Sequence, residues 1–332
     1  MATMADVARL AGVNPSTVSH VVNGTRSVSA PTRRLVLDAI SATGYRPNAL
    51  ARSLATSSTT TIGLASRFVS NPHFADLVRV IEARARAAGY TLVLADTHDE
   101  AEQELHAVGQ LVDRRVDGVL LAPSAHAEVA ALPLLASRGV PVVLLDRFAD
   151  ADVDQVAPEN VQATATLTGH LADLGHHRIA FVAGAPGLTS SSERLEGHLA
   201  VVAARGLDAD PALLLAGGSE ADEAERAVLA AFSAPGRPTA VVVGNNAMTV
   251  GTLRALRRLG LRVPGDVALT AYDDPEWADI VEPRLTTIAQ DVPRMARRAV
   301  ELVLERVLTP DAPARRERIV PAFRHRTSCG CP

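Results

Sequence analysis

Hydrophobic positions in the first sixty residues recur at helical spacing. Val7, Leu10 and Ala11 share one face of a helix that Thr3 can cap, with Asp6 three positions on, and Gly12 ends it. Asn14 and Pro15 open a second helix, to about Val22, that buries Val18 and Val22 and turns Ser16, Thr17, Ser19 and His20 outward. A third runs from about Ala30 to Ala42, with Pro31 in its first turn, Leu35, Leu37 and Ile40 as its packing face and Gly44 at its end. Two short helices joined by a glycine turn, with a third behind them, match a helix-turn-helix. Pro47 to Leu54 predicts one more helix, too short to be stable alone, and the Ser/Thr run after it reads as a linker.

From Thr61 onward the pattern changes. TIGLAS, TLVLAD, GVLLAPS and VPVVLLD are apolar runs of strand length, separated by amphipathic stretches such as DLVRVIEARARAAGY and EQELHAVGQLVDRRV. RIAFVAG, TAVVVGN and DVALTAYDD repeat the alternation. Strand and helix in alternation predict parallel sheets covered on both faces. The length of this part predicts two such units rather than one.

Charge separates the two parts. Residues 1–60 hold six arginines against two aspartates, so they carry +4 while the chain as a whole carries −4. A basic end on an acidic body suggests a nucleic-acid module, although charge alone is equally consistent with ordinary fluctuation. The outward side of the second helix is more informative. A merely solvated helix would show Glu and Lys, whereas short hydroxyls and an imidazole suit base edges in a major groove. A three-helix interaction domain remains open at this point.

The order DVARLAGV, STVSHVVN, SAPTR, GYRPNALARSL and IGL resembles the DNA-binding end of the lactose-repressor family, closest in pattern to its purine and ribose repressors. The resemblance extends over essentially the whole chain. It implies a small all-α helix-turn-helix domain (1–46), a hinge helix and linker (47–60), and a two-lobed α/β effector-binding and dimerisation domain like the periplasmic binding proteins (61–332). The lobes would comprise about 61–160 with 291–319, and 161–290 with 320–332. It further implies that Leu54 wedges into the minor groove when two hinge helices meet on an operator. Thr3, Pro15, Ser16, Thr17, His20, Asn23, Arg26, Tyr45, Asn48, Arg52 and Leu54 are the expected DNA-binding residues, with His20 and Ser16 reading bases. Pro15 stands where relatives place a hydroxyl or amide, and Ala55 where the purine repressor has lysine; both leave the operator sequence open.

Ligands of open α/β sheets lie beyond the carboxyl ends of the strands. Those ends hold Asn71, His73 and Phe74; Asp96; Asp146 and Arg147; Ser190 to Arg194; Asn245 and Asn246; Asp273 and Asp274. Acids, guanidinium groups and amides together suit a hydroxyl-rich small molecule. The resemblance puts Phe74, Asp146, Arg147, Arg194 and Asp273 at effector-contact positions; His73, Ser190 and Asn246 complete the expected set. Asn246 replaces an aspartate common in relatives, and Gly217–Ser219 lacks a stacking aromatic found there.

The chain has no GxGxxG after a strand, no GxxxxGK[ST] and no GxSxG, and GAPG at 184–187 lacks a lysine. No catalytic group, cofactor or metal is expected, and Cys329 and Cys331 read as an inert, frayed tail. The start lacks an apolar signal region and no run is long enough to span a membrane, so a cytoplasmic protein is expected. The leading expectation is a transcriptional regulator, in the manner of a repressor, that binds double-stranded DNA and responds to a sugar-like effector. The alternatives are a solute-binding protein, which leaves residues 1–60 unexplained, and a sugar-converting enzyme. Family tetramers carry a C-terminal leucine heptad absent from RHRTSCGCP, so a homodimer on a pseudo-palindromic operator is expected.

Overall fold

The computed structural model describes residues 2–24, 26–45, 58–67, 72–125 and 127–331, with the side chains of 72, 73 and 127–129 left out of the description. It divides into two units, Met1–Thr60 and Thr61–Pro332. Helices α1 (Met4–Ala11), α2 (Pro15–Asn23) and α3 (Ala30–Thr43) form the first. Each has its own stop and start signals. Thr3 makes a full capping box with Asp6, Asn14 and Ser29 cap α2 and α3, and Gly12, Gly24 and Gly44 end the three helices in left-handed conformations.

Val7, Ala8, Ala11, Val18, Val36 and Ala39 form the small core. Leu10, Leu35 and Leu37, expected to pack inward, are 59%, 54% and 49% exposed. The α3 core face is instead phased on Val36, Ala39 and Ile40. Small alanines let the three helices approach closely, and this leaves no room between them for the leucines.

The second unit contains two six-stranded sheets. Its strands are β1 (Thr61–Ser66), β2 (Thr91–Asp96), β3 (Gly118–Leu121), β4 (Val142–Leu145), β5 (Asp154–Pro158), β6 (Ile179–Ala183), β7 (Leu214–Ala216), β8 (Ala240–Val243), β9 (Ala268–Tyr272), β10 (Thr286–Ala289), β11 (Arg316–Ile319) and β12 (Ala322–Arg324). The first sheet has the order β11-β5-β4-β3-β1-β2 and the second β12-β10-β9-β8-β6-β7. All pairings are parallel except β10 with β12. The orders are the same element for element, so β4 and β9 are equivalent, as are β1 and β6.

Between the strands run α4 (Pro72–Ala87), α5 (Ala101–Asp113), α6 (Ala127–Ser137), α7 (Val161–Asp173), α8 (Thr189–Arg205), α9 (Ala221–Ser233), α10 (Asn246–Arg258) and α11 (Val292–Leu308). The continuous apolar runs of the inner strands follow from burial on both faces. Leu120, Val143 and Leu145 pack to one side with α4 and α11, while Leu121, Val119 and Leu144 pack to the other with α5 and α6. β2 departs from the expected buried strand, for it lies at a sheet edge and Leu94 is 49% exposed.

The chain passes between the sheets three times: after β5, after β10 and after β11. β5, β7, β10, β11 and β12 escape the pattern reading because they are short and, apart from β7, carry polar residues. The C-terminal tail is a correction: Cys329 is fully buried against the second sheet, not frayed. Among the described residues no helix is long and apolar enough to cross a membrane.

Glycines let two helix pairs of the second lobe touch backbone to backbone. A Cβ on Gly251 in α10 would stand 2.0 Å from the carbonyl oxygen of Ala221 in α9. Gly251→Ala should therefore destabilise the protein by about 1–3 kcal/mol. Gly109→Ala in α5, where nothing lies within 4 Å, should be neutral or slightly stabilising. Thermal unfolding of the two variants beside the parent checks this; equal melting temperatures would disprove the close contact.

Candidate functional site

In the helix-turn-helix unit, Val18 is fully buried and fixes which side of α2 faces out. Pro15 and Ser16 are exposed; Thr17, Ser19, His20 and Asn23 are half-buried. The Asn14 side chain accepts from the Ser16 N–H at 3.4 Å, and Asn23 Nδ2 donates to Ser19 Oγ at 3.2 Å. Thr3 holds the start of α1, its Oγ1 donating to Asp6 Oδ2 at 2.7 Å. That hydroxyl, with the Thr3 N–H, lowers the pKa of Asp6. Arg26 is exposed and Tyr45 packs against the small core. Asn48, Arg52 and Leu54 lie outside the described residues, as does the expected hinge helix.

In the larger unit the two sheets bring the carboxyl ends of their strands to one cleft. β4 runs into Asp146 and β9 into Asp273, at equivalent places in the two lobes, with φ of +69° and +76°. Both are left-handed conformations that cost a non-glycine residue of order 1–3 kcal/mol and persist only where surroundings impose them. Asp273 is held by the Asn246 N–H at 3.1 Å and by Gln290 Nε2 at 2.7 Å. Gln290 Oε1 is buried and accepts no hydrogen bond from the described residues.

Arg147 lies next to Asp146, with Nε 3.6 Å from its carboxylate. Its guanidinium grips Asp99 through both terminal nitrogens, Nη2 to Oδ2 at 3.0 Å, and donates to the Pro123 carbonyl at 3.2 Å. Burial opposes its charge, yet Asp99, Asp146 and Glu104 together keep its pKa raised. Glu104 lies fully buried nearby and accepts from the Ser124 N–H at 2.6 Å; burial pushes its carboxyl above the usual range.

From the second lobe, Arg194 reaches into the cleft from α8. Nε donates to Asn160 Oδ1 at 2.9 Å and Nη1 to the Gly244 carbonyl at 2.7 Å, while the guanidinium carbon lies 3.7 Å above the Tyr272 ring. Its Nη2 makes no hydrogen bond to the described residues. Tyr272, whose pKa burial raises, donates to the Glu159 carbonyl at 3.2 Å. The arginine is thus braced between a backbone carbonyl and an aromatic face.

Contacts across the cleft draw the lobes together. Arg67, directly after β1, pairs with Glu220 beyond β7 and lies 3.6 Å from Asp99. Thr189 Oγ1 donates to the Phe148 carbonyl at 2.6 Å, and Arg318 pairs with Glu193 at 2.6 Å. The cavity left between these groups is about 40 Å³, room for a water or two.

Phe74, Asp146, Arg147, Ser190, Arg194 and Asp273 of the expected set all line this cleft. The side chain of His73 lies outside the described residues. Asn246 is a correction: as the first residue of α10 it anchors Asp273 through its backbone and lines an adjoining groove instead of the cavity. Asp274 is also drawn away, into a bidentate pair with Arg326. Asp96 takes the His98 N–H in its own loop. Sequence reasoning missed Arg67, Asp99, Ser219 and Gln290, which also line the cleft. Arg67 was findable as the residue directly after TIGLAS. Gln290 follows a strand the pattern did not show.

Beneath the cleft, His198 of α8 stacks on Phe181 at 4.9 Å and its Nδ1 lies 3.1 Å from Thr168 Oγ1. Burial lowers its pKa from 6.5 to about 4. The unfolded chain therefore binds the extra proton first. Stability from this group is intact above pH 6.5, falls as pH drops toward 4, and levels off below that, a loss of up to about 3 kcal/mol. His198→Gln should flatten the melting temperature profile between pH 6.5 and 4; an unchanged slope would mean that His198 does not titrate as argued.

Comparison with known proteins agrees with both halves of this geometry. The family described as "Bacterial regulatory proteins, lacI family" matches residues 3–48, and the "Periplasmic binding protein-like domain" matches 168–329. The chain is 36% identical over 329 residues to the ribose operon repressor of Escherichia coli (strain K12), covering 99% of this chain and 100% of that protein. It is 34% identical over 312 residues to the HTH-type transcriptional repressor PurR of Haemophilus influenzae (strain PittEE), covering 94% of this chain and 93% of that one. Among solved structures, the lac repressor dimer bound to operator and the anti-inducer ONPF superposes with a TM-score of 0.87 at 28% identity, covering 99% of each chain.

Proposed function

The chain belongs to the lacI family of bacterial regulatory proteins, and from that premise we propose that its interlobe cleft senses a small hydroxyl-rich metabolite, a sugar or a close relative, and thereby sets its affinity for an operator. It is a DNA-binding transcriptional regulator and not an enzyme, like the repressors it resembles. A solute-binding protein would have no use for residues 3–48. We assign residues 1–46 to DNA binding, 47–60 to a hinge and linker, and 61–332 to effector binding and dimerisation. The working form is a cytoplasmic homodimer on a pseudo-palindromic operator.

The observation that carries the reading is the facing of Asp146 and Arg147 in one lobe with Arg194 and Asp273 in the other, across a cleft closed by Arg67 and Glu220. Vicinal hydroxyls match carboxylates and guanidinium forks in pairs. Phe74 and Leu188, both buried, add apolar surface for the face of a sugar ring. The cavity of about 40 Å³ is smaller than any monosaccharide. Parting of the lobes, with the Arg67–Glu220 pair broken, would enlarge it to admit the effector. A ligand that touches both lobes shifts their equilibrium by its difference in affinity for the two arrangements, and no further.

Arg194→Ala or Asp273→Ala should remove the effector's influence on operator binding while operator affinity in its absence stays within a few-fold of the parent. Anisotropy titration of labelled operator, with a panel of pentoses and hexoses, checks this. A stable Arg194→Ala protein with undiminished sugar affinity by calorimetry would take Arg194 out of the site.

His20 and Ser16, on the outward side of α2, are proposed to read bases, with Thr3 and Arg52 on the backbone. His20→Arg should change the preferred base at one or two symmetric positions of each half-site, at ~1–3 kcal/mol per mismatch. Selection from a randomised operator pool that returns the parental motif would disprove that role.

A further inference from the structure

The second sheet ends, away from the effector cleft, in a cluster that the regulatory reading does not use. β12 starts at Ala322, opposite Ala289 at the cleft end of β10, and runs away from the cleft. The chain beyond it folds His325, Cys329 and Cys331 back against His170 in the last turn of α7. One ligand atom from each of these four residues lies within 4.8 Å of every other. Cys329 Sγ is 3.3 Å from His325 Nε2, and Cys331 Sγ is 3.5 Å from His170 Nε2.

Those separations have a geometric meaning. With metal–sulfur bonds of ~2.3 Å and metal–nitrogen bonds of ~2.0–2.1 Å, the edges of a coordination tetrahedron measure roughly 3.3–3.8 Å. The two sulfur–nitrogen distances already fall within that range, and the remaining edges, none longer than 4.8 Å, need to contract by at most about 1.5 Å. Two thiolates and two imidazoles form a donor set that favours zinc over the harder magnesium and calcium.

We propose that His170, His325, Cys329 and Cys331 are the complete ligand set of a site for a borderline-soft divalent cation, and that zinc is the ion that fits it. Three ligands come from seven consecutive residues, 325 to 331, and the fourth from a helix. The cation would therefore fasten the last segment of the chain, just after its third passage between the lobes, to α7. Four protein ligands leave no open position, so the role is structural. Two thiols give up their protons on binding, and the two thiolates balance the charge of the ion. The Phe323 ring packs edge-on against His170, with the ring centroids 5.3 Å apart. Cys329 is fully buried, Cys331 and His170 are half-buried, and His325 is exposed, so the site lies at the surface with its thiol side turned inward.

The test uses the untagged full-length protein, stripped with a chelator under reducing conditions and then given zinc or cobalt. After desalting it should retain about one equivalent of zinc, and its melting temperature should rise by roughly 5 °C or more. Cobalt should give the visible bands of tetrahedral coordination with a thiolate charge-transfer band. Cys331→Ser and His170→Gln, both at half-buried positions, should lose the retained ion and the cobalt spectrum. Their stripped forms should melt with the stripped parent. Retention below a tenth of an equivalent would overturn the proposal. So would zinc retained undiminished by either variant, or a Cys329–Cys331 disulfide whose reduction restores no cobalt spectrum.

Discussion

Charged groups at the facing ends of two parallel sheets must be paired, and the larger unit is organised around that constraint. A buried charge without a partner costs several kcal/mol. Here Arg147 is clamped by Asp99, Arg67 by Glu220, and Asp273 by Gln290 and the start of α10. Arg194 is braced by Gly244 and Tyr272. Several of these pairings would have to be exchanged for contacts with a ligand. A sugar is suited to such an exchange because its hydroxyls both donate and accept. Asp146 and Asp273, both in left-handed conformations just beyond their strands, line the cleft from the two lobes.

Three passages of the chain connect the lobes beside the cleft. The strands on either side of them, β5, β10 and β11 with β12, are held in both sheets, so a change in lobe spacing acts on all three connections together. α11 follows a strand of the second sheet yet packs on the first, against α4. The lobes are therefore tied by folded elements as well as by the salt links across their mouths. The proposed cation site belongs to the same connection, since it would anchor the segment after the third passage at its far end.

Much of this was legible in the sequence, for a physical reason. Strands such as VVLL and AVVV are buried on both faces, so they read as unbroken apolar runs between glycines and turns. Thr3 and Asn14 announced the first two helices of the small unit, and Pro31 with Gly44 the third. The phase of α3 was not legible, because Leu35, Val36, Leu37, Ala39 and Ile40 supply apolar side chains on several sides and only packing against small alanines selects among them. TLVLAD looked like a core strand because composition does not reveal which strand is at a sheet edge. Arg67, Asp99 and Gln290 belong to connections, where no periodicity points inward. His170 and Cys331 lie 161 positions apart, and only the return of the chain to the second lobe brings them together.

Coupling within one molecule between a sugar in the cleft and DNA at the other unit is the core of the proposed function. Its most direct test is reciprocity on the parental protein. Operator affinity is measured with and without saturating sugar, and sugar affinity with and without saturating operator. The two ratios must be equal if the sites are thermodynamically linked, and a coupling of ~1–3 kcal/mol makes each ratio roughly 5- to 150-fold. Coupling of the two sites gives equal ratios in that range, in either direction of effect. A sugar that binds tightly in the cleft and leaves operator affinity unchanged would contradict it.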